Sequence, residues 1–150
     1  MSKIITQIFR GKLIESSHNI KCYLGSLKKG QIFSTGNEND FIYPRSSIKI
    51  FQAIPFIRSN AVQKFKLNKK NIALACSSHR GEIFHLKELK KWVKKININI
   101  NSLKCGIHNP LNQKAAEKLF SSNTLANQLH NNCAGKHLAM ITSCIMNNYN

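Results

Sequence analysis

Between Phe84 and Ile96 the apolar residues Leu86, Leu89, Val93 and Ile96 recur three and four positions apart, and Lys87, Lys90, Lys91, Lys94 and Lys95 mostly fill the remaining positions. That period predicts an amphipathic helix with one apolar stripe and a solvated lysine face. Such a helix holds only if other parts of the fold supply apolar faces to lay it against. Residues 113–120 are a second, shorter helix candidate. A third runs from about Gly135 to Met146, with Leu138, Ile141 and Ile145 on one side. A further helix is expected to start near Ser46 or Ser47 and carry Ile48, Phe51, Ile54 and Ile57, bent or interrupted at Pro55.

Residues 1–43 read as extended segments instead. Ile20, Cys22 and Leu24 alternate with polar residues, Gln31-Ile32-Phe33-Ser34 does so again, and Lys28-Lys29-Gly30 supplies a turn, which predicts a hairpin. Asn37 to Asp40 reads as a polar loop. Ile72-Ala73-Leu74-Ala75-Cys76 is a short continuous apolar run of the kind found in buried strands. The expected class is therefore α/β (α+β): hairpin strands, then helices alternating with a buried strand, in a single domain over residues 1–150. So few strands would leave exposed sheet edges, and the chain ends at Met146-Asn147-Asn148-Tyr149-Asn150 without a clear helix cap. The expectation is a truncated domain.

A net charge of +17 invites a nucleic-acid reading. Only four of the 23 basic residues are arginine, however (Arg10, Arg45, Arg58, Arg80), and the lysines are spread over the whole chain among many Asn and Ile. Arginine dominates phosphate and base readout, and neither an aromatic nucleic-acid motif nor zinc-finger spacing is present. Specific nucleic-acid binding is not expected. No apolar run approaches a membrane span, and Ile4, Ile5, Ile8 and Phe9 are too few and too interrupted for a signal-peptide core. Five widely spaced cysteines without a Cys-x-x-Cys pair argue for free thiols. A cytoplasmic protein is expected.

Ser46-Ser47-Ile48-Lys49 places a hydroxyl and an amine three residues apart, on one face of a helix. A lysine freed of its proton can activate a serine; equally, Ser46 or Ser47 can simply cap the helix. Four more polar clusters sit at apparent element boundaries: Glu15-Ser16-Ser17-His18, Ser77-Ser78-His79-Arg80-Gly81-Glu82, Cys105-Gly106-Ile107-His108-Asn109-Pro110, and Asn131-Asn132-Cys133-Ala134-Gly135-Lys136-His137. In the second, Ser78 is placed to project into a cleft and Glu82 suits the start of the next helix. Cys105 with His108 offers either two metal ligands or a packed turn, packing being the stronger reading. In the last cluster, Cys133, Lys136 and His137 are positioned to face one bound group at a helix entry.

In order, these clusters resemble the bacterial L-asparaginase II family of the Rhizobium etli type, from Gly11 to about Cys144. The resemblance rests on Glu15-Ser16-Ser17-His18, Pro44-Arg45-Ser46-Ser47-Ile48-Lys49 with Gln52-Ala53-Ile54-Pro55, and Ala73 through Glu82. It extends through Cys105-Gly106 with His108 and Pro110 to Asn132-Cys133-Ala134-Gly135-Lys136-His137. It implies hydrolysis of L-asparagine to L-aspartate and ammonia on a fold similar to serine β-lactamases and glutaminases. Two Ser-Lys tandems and a zinc site with a lysine ligand are also implied.

Carried over, Ser46 with Lys49 is similar to the first tandem and Ser78 to the serine of the second. Either serine is a possible nucleophile, Ser46 being favoured. Cys133 and Lys136 resemble two zinc ligands, while Arg45 and His137 resemble residues of the substrate pocket, Arg45 suiting an α-carboxylate. Family members are about twice this length, so the second tandem's lysine and a third, cysteine ligand are expected beyond this N-terminal half. Ala134 stands where the family commonly has Ser, and Ile50 where it has Pro. The expected function is an asparaginase-type amidohydrolase, incomplete and weakly active or inactive, existing as a homodimer or with a complementing C-terminal half. The alternative is a non-catalytic remnant, or one half of a split enzyme acting as an interaction module.

Overall fold

In the computed structural model, which describes residues 4–37 and 39–149, the N-terminal segment forms two antiparallel hairpins. Strand β1 (Ile4–Arg10) pairs with β2 (Leu13–Ile20), and β3 (Cys22–Ser26) pairs with β4 (Gly30–Thr35). The second hairpin is the one expected from the alternation and the Lys28-Lys29-Gly30 turn, where Ser26 Oγ accepts the Lys29 N–H at 3.0 Å. Alternation gives the first segment only as extended chain; Gly11, at φ +62°, supplies the turn that pairs it. Ile20 faces Ile4 at the end of β2 and does not belong to β3. Thr35 ties one hairpin to the other, its buried Oγ1 donating to Ile20 O at 2.8 Å and accepting from Cys22 N at 3.0 Å.

Glu15-Ser16-Ser17-His18 falls inside β2, not at an element boundary. Glu15 pairs with Arg10 on the neighbouring strand, and the side chains of Ser16 and His18 meet at 3.1 Å. In the polar loop, Asn37 Nδ2 donates to Asp40 Oδ1 at 3.1 Å and Lys21 pairs with Asp40, while Glu38 lies outside the described residues. These hairpins make one compact unit, Met1–Tyr43; the second is Pro44–Asn150.

The second unit is helical: α1 (Lys49–Gln52), α2 (Ile54–Arg58), α3 (Ala61–Lys64), α4 (Lys69–Cys76), α5 (Ile83–Ile96), α6 (Gln113–Ser121) and α7 (Ala134–Asn147), with short 3₁₀ turns before α1, after α5 and before α7. The stripe on α5 is buried as expected at Leu89, Val93 and Ile96, with Leu86 partly covered, and Trp92 joins it. The Trp92 ring packs 5.4 Å from that of Phe56, and its Nε1–H donates at 3.0 Å to Thr142, whose hydroxyl donates in turn to Leu138 O at 2.6 Å. This satisfies both polar atoms in the core. Residues 113–120 and 135–146 are helical as expected, in α6 and α7.

Three expectations change. Ile72–Cys76 is not a buried strand but the body of α4. Asn68 caps it, accepting from Lys70 N at 2.9 Å while its own N–H reaches Asn71 Oδ1 at 2.9 Å. Among the described residues every strand lies before residue 36, so the run had no ladder to join. The stripe Ile48, Phe51, Ile54 and Ile57 faces outward, and the buried side is Lys49, Ala53 and Phe56, at i, i+4 and i+7. The C-terminal helix does have a cap: Asn148 adopts the left-handed conformation and its N–H returns to Ile145 O. The mixed α/β class stands, with strands and helices segregated along the chain. Among the described residues no helix is long and apolar enough to cross a membrane.

Candidate active site

The turn before α1 does not begin with a serine cap. Pro44 occupies the cap position, and the Ser47 hydroxyl donates back to its carbonyl. Arg45 then takes φ +50°, a left-handed conformation that is strained for a non-glycine residue and common at working sites. Ser46 and Lys49 follow on the same turn, and Lys49 points into the unit, only 3% exposed.

Its amine is fixed by the segment leaving α4. Lys49 Nζ donates to Ser77 O at 3.0 Å and to Ser78 Oγ at 2.7 Å, and Ser78 Oγ donates to Ser46 Oγ at 3.0 Å. The spacing of Ser46 and Lys49 suggested a direct pair. Instead Ser78 stands between them, giving one continuous chain of hydrogen bonds from amine to Ser46. No carboxylate salt-bridges Lys49 among the described residues.

The close approach of α4 and α7 depends on Gly135. A Cβ there would lie 2.2 Å from Leu74 O and 2.6 Å from Leu74 C, both backbone atoms that cannot move aside. With the two helices in contact, His137 on α7 comes within electrostatic reach of Lys49. Burial, then Lys136, then Lys49 push the His137 imidazole below its ordinary value.

Three loops meet beside this centre. His79, 3% exposed, accepts the Gly81 N–H on Nδ1 at 3.1 Å and stacks 5.2 Å from His85. Burial above all, with His85, Lys49 and His108 adding, pushes its pKa down to about 4. Gly81, at φ +75°, leaves no room for a Cβ against Pro110. Asn131 closes the arrangement: its Nδ2 donates to Cys105 O at 2.6 Å, while its Oδ1 accepts from Cys133 N at 2.8 Å. His108 meets Asn109 O at 2.7 Å through Nδ1 and accepts from Asn132 N at 3.2 Å through Nε2. Both of its nitrogens are spent on backbone, so Cys105 and His108 do not form a metal pair. His79 and Asn131 carry no sequence signal beyond lying next to Ser78 and Cys133.

Cys133 occupies the cap position of α7 and Lys136 lies in its first turn. The Cys105 thiol is near both: burial pushes its pKa up and Cys133 adds to this, while Lys136 pulls it down. No group of three His, Cys, Asp or Glu able to hold a metal converges among the described residues. Cys133 and Lys136 alone fall short of the three or four protein ligands that zinc takes. The residues present therefore do not complete a zinc site. All five cysteines are free.

Thus Ser46, Lys49, Ser78 and His137 are gathered around α1, α4 and α7, Arg45 adjoins them in sequence on an exposed turn, and Cys133 and Lys136 begin the helix that carries His137. No curated protein matches the chain. The family described as L-asparaginase II matches over residues 6–150, nearly its whole length. Family membership brings with it an amide-hydrolysing chemistry and a small-molecule substrate. The chain belongs to the L-asparaginase II family.

Proposed function

We propose that this chain carries the nucleophile-bearing part of a centre that hydrolyses L-asparagine to L-aspartate and ammonia. The observation that supports it most is the unbroken path from buried Lys49 through Ser78 to Ser46. In this reading Ser46 Oγ attacks the side-chain amide carbon, and its proton passes through Ser78 to the Lys49 amine acting as the base. Return of a proton to the amide nitrogen breaks the C–N bond and releases ammonia. Water then cleaves the aspartyl ester by the same route in reverse. The Arg45 guanidinium receives the substrate α-carboxylate through its planar fork, and His137 lines the pocket. The fold would be of the serine β-lactamase and glutaminase kind.

No step is routed through zinc. Cys133 and Lys136 would supply two ligands, and the rest would come from outside this chain. A second reading, one half of a split enzyme or a non-catalytic remnant, is favoured by the hairpins Ile4–Arg10/Leu13–Ile20 and Cys22–Ser26/Gly30–Thr35, whose apolar side chains are exposed.

The test is acylation. An activated β-ester of aspartate is incubated with the purified chain, and the modified residue is located by mass spectrometry. One aspartyl group on Ser46, absent in Ser46→Ala and strongly reduced in Lys49→Met, is the expected result. Labelling of Ser78 would exchange the roles of the two serines; no labelling of either would support the non-catalytic reading.

A further inference from the structure

A cavity of about 580 Å³ opens between α4 and α5, within the size range of small-molecule sites. Its walls include Ala73 and Leu74 on one side and Phe84 on the other, so its floor is apolar. Its polar groups are almost all donors. Lys70, Lys87 and Lys91 bring three ammonium groups. His85 accepts the Glu82 N–H on Nδ1 at 3.3 Å, which leaves the proton of the neutral ring on Nε2. The one acidic residue, Glu88, is already matched: Lys91 donates to it at 3.1 Å, and that bond, with Lys70 adding, holds its carboxylate below the ordinary range although burial opposes. Among the described residues Lys87 forms no salt bridge, and Lys91 is half-exposed beside its own partner.

We infer that this cavity binds a small organic anion, a carboxylate or phosphate monoester with an apolar body, placing the body on Leu74 and Phe84 and the charged head among Lys70, Lys87 and Lys91. An apolar floor alone would take a neutral ligand, and lysines alone would take any ion. Together they select a molecule that has both parts, because each contribution is modest on exposed ground and only their sum holds it. Ser77 is part of the cavity wall and its carbonyl accepts from Lys49, but Ser46, Lys49, Ser78 and His137 do not line the cavity. It is a separate site, and its occupancy does not depend on the catalytic reading.

The test uses the full chain, isotopically labelled, with amide NMR spectra recorded during titration with sodium octanoate, 1-octanol and sodium acetate. Octanoate is expected to move the amides of Ala73, Ser77 and Phe84 along saturating curves, while octanol and acetate do not saturate over the same range. Lys87→Gln with Lys91→Gln should weaken octanoate binding about tenfold, and Lys114→Gln with Lys118→Gln on α6 should leave it unchanged. Ala73→Trp, which fills the cavity from its α4 wall, should abolish the shifts and guards against a folding defect in the lysine variant. Equal binding of octanol, or equal weakening by the α6 pair, would overturn the inference, the second by showing only diffuse attraction to a +17 chain.

Discussion

The hairpin unit and the helical unit use apolar residues in comparable density and obtain very different returns from them. In the helical unit Leu89, Trp92 and Leu138 are fully removed from water. In the hairpin unit Phe9, Ile14, Leu24 and Ile32 each remain more than half exposed. The difference lies in what each element can find within its own unit. A helix stripe is satisfied by another helix, and α5 finds α4 and α7. A two-stranded sheet has two faces and two free edges, and needs a further layer that neither hairpin provides. Apolar patterning thus selects the element in both units, but only the helical unit contains its own complement.

Gly135→Val should break the better-packed side of this contrast. Its Cβ would overlap the Leu74 carbonyl, so α4 and α7 must separate, at a cost of at least about 3 kcal/mol. Trp92, the single tryptophan, sits in the helical core and reports its unfolding by fluorescence. Phe9→Ser is the control in the hairpins: with more than half of its side chain already in water, it should change the unfolding free energy read the same way by no more than about 0.5 kcal/mol. A Phe9→Ser effect as large as that of Gly135→Val would show that the two units are not independent in stability.

The same contrast explains what could be read in advance. The stripe on α5, from Leu86 to Ile96, spans about three turns, long enough for its period to exclude a strand. Ile72–Cys76 is five residues, too short for periodicity to separate a buried helix from a buried strand, and the deciding information was a reciprocal pair of Asn side chains at its start. Ser46 and Lys49 could be paired by their spacing. That Ser78 lies between them could not, because it depends on α4 being a helix that ends at the right height. Asn131 was hidden for a related reason: it joins loops about 25 residues apart in sequence, and no local pattern records such a contact.

Acid should separate the units next. His79 is held neutral, with a folded value of about 4 against an ordinary 6.5. Above pH 6.5 the imidazole is neutral both folded and unfolded, so its contribution is complete. As pH falls from 6.5 to 4 the unfolded chain takes up a proton that the folded loops resist, and stability is lost. A shift of this size corresponds to about 3 kcal/mol. Urea midpoints read by Trp92 fluorescence should therefore fall across that window, and His79→Gln should flatten the fall. An unchanged slope in the variant would remove His79 as the source.

Lys49→Met tests the smallest effect and the one closest to the chemistry. The Lys49 charge helps to hold His137 and His79 below their ordinary values, ranking behind burial in both. Removing it while keeping an apolar stem of similar length should raise the pKa of His137, as followed by its ring proton shifts during an NMR titration. Burial of the ring remains, so the value should stay below the ordinary one. Ser46→Ala, which removes a hydroxyl but no charge, should leave His137 where it is. If Lys49→Met did not move His137, the amine and the imidazole would not share an electrostatic environment, and α7 would lose its place at the serine centre. If it moved, the link between α1 and α7 would be established by a measurement that needs no substrate, no metal and no turnover.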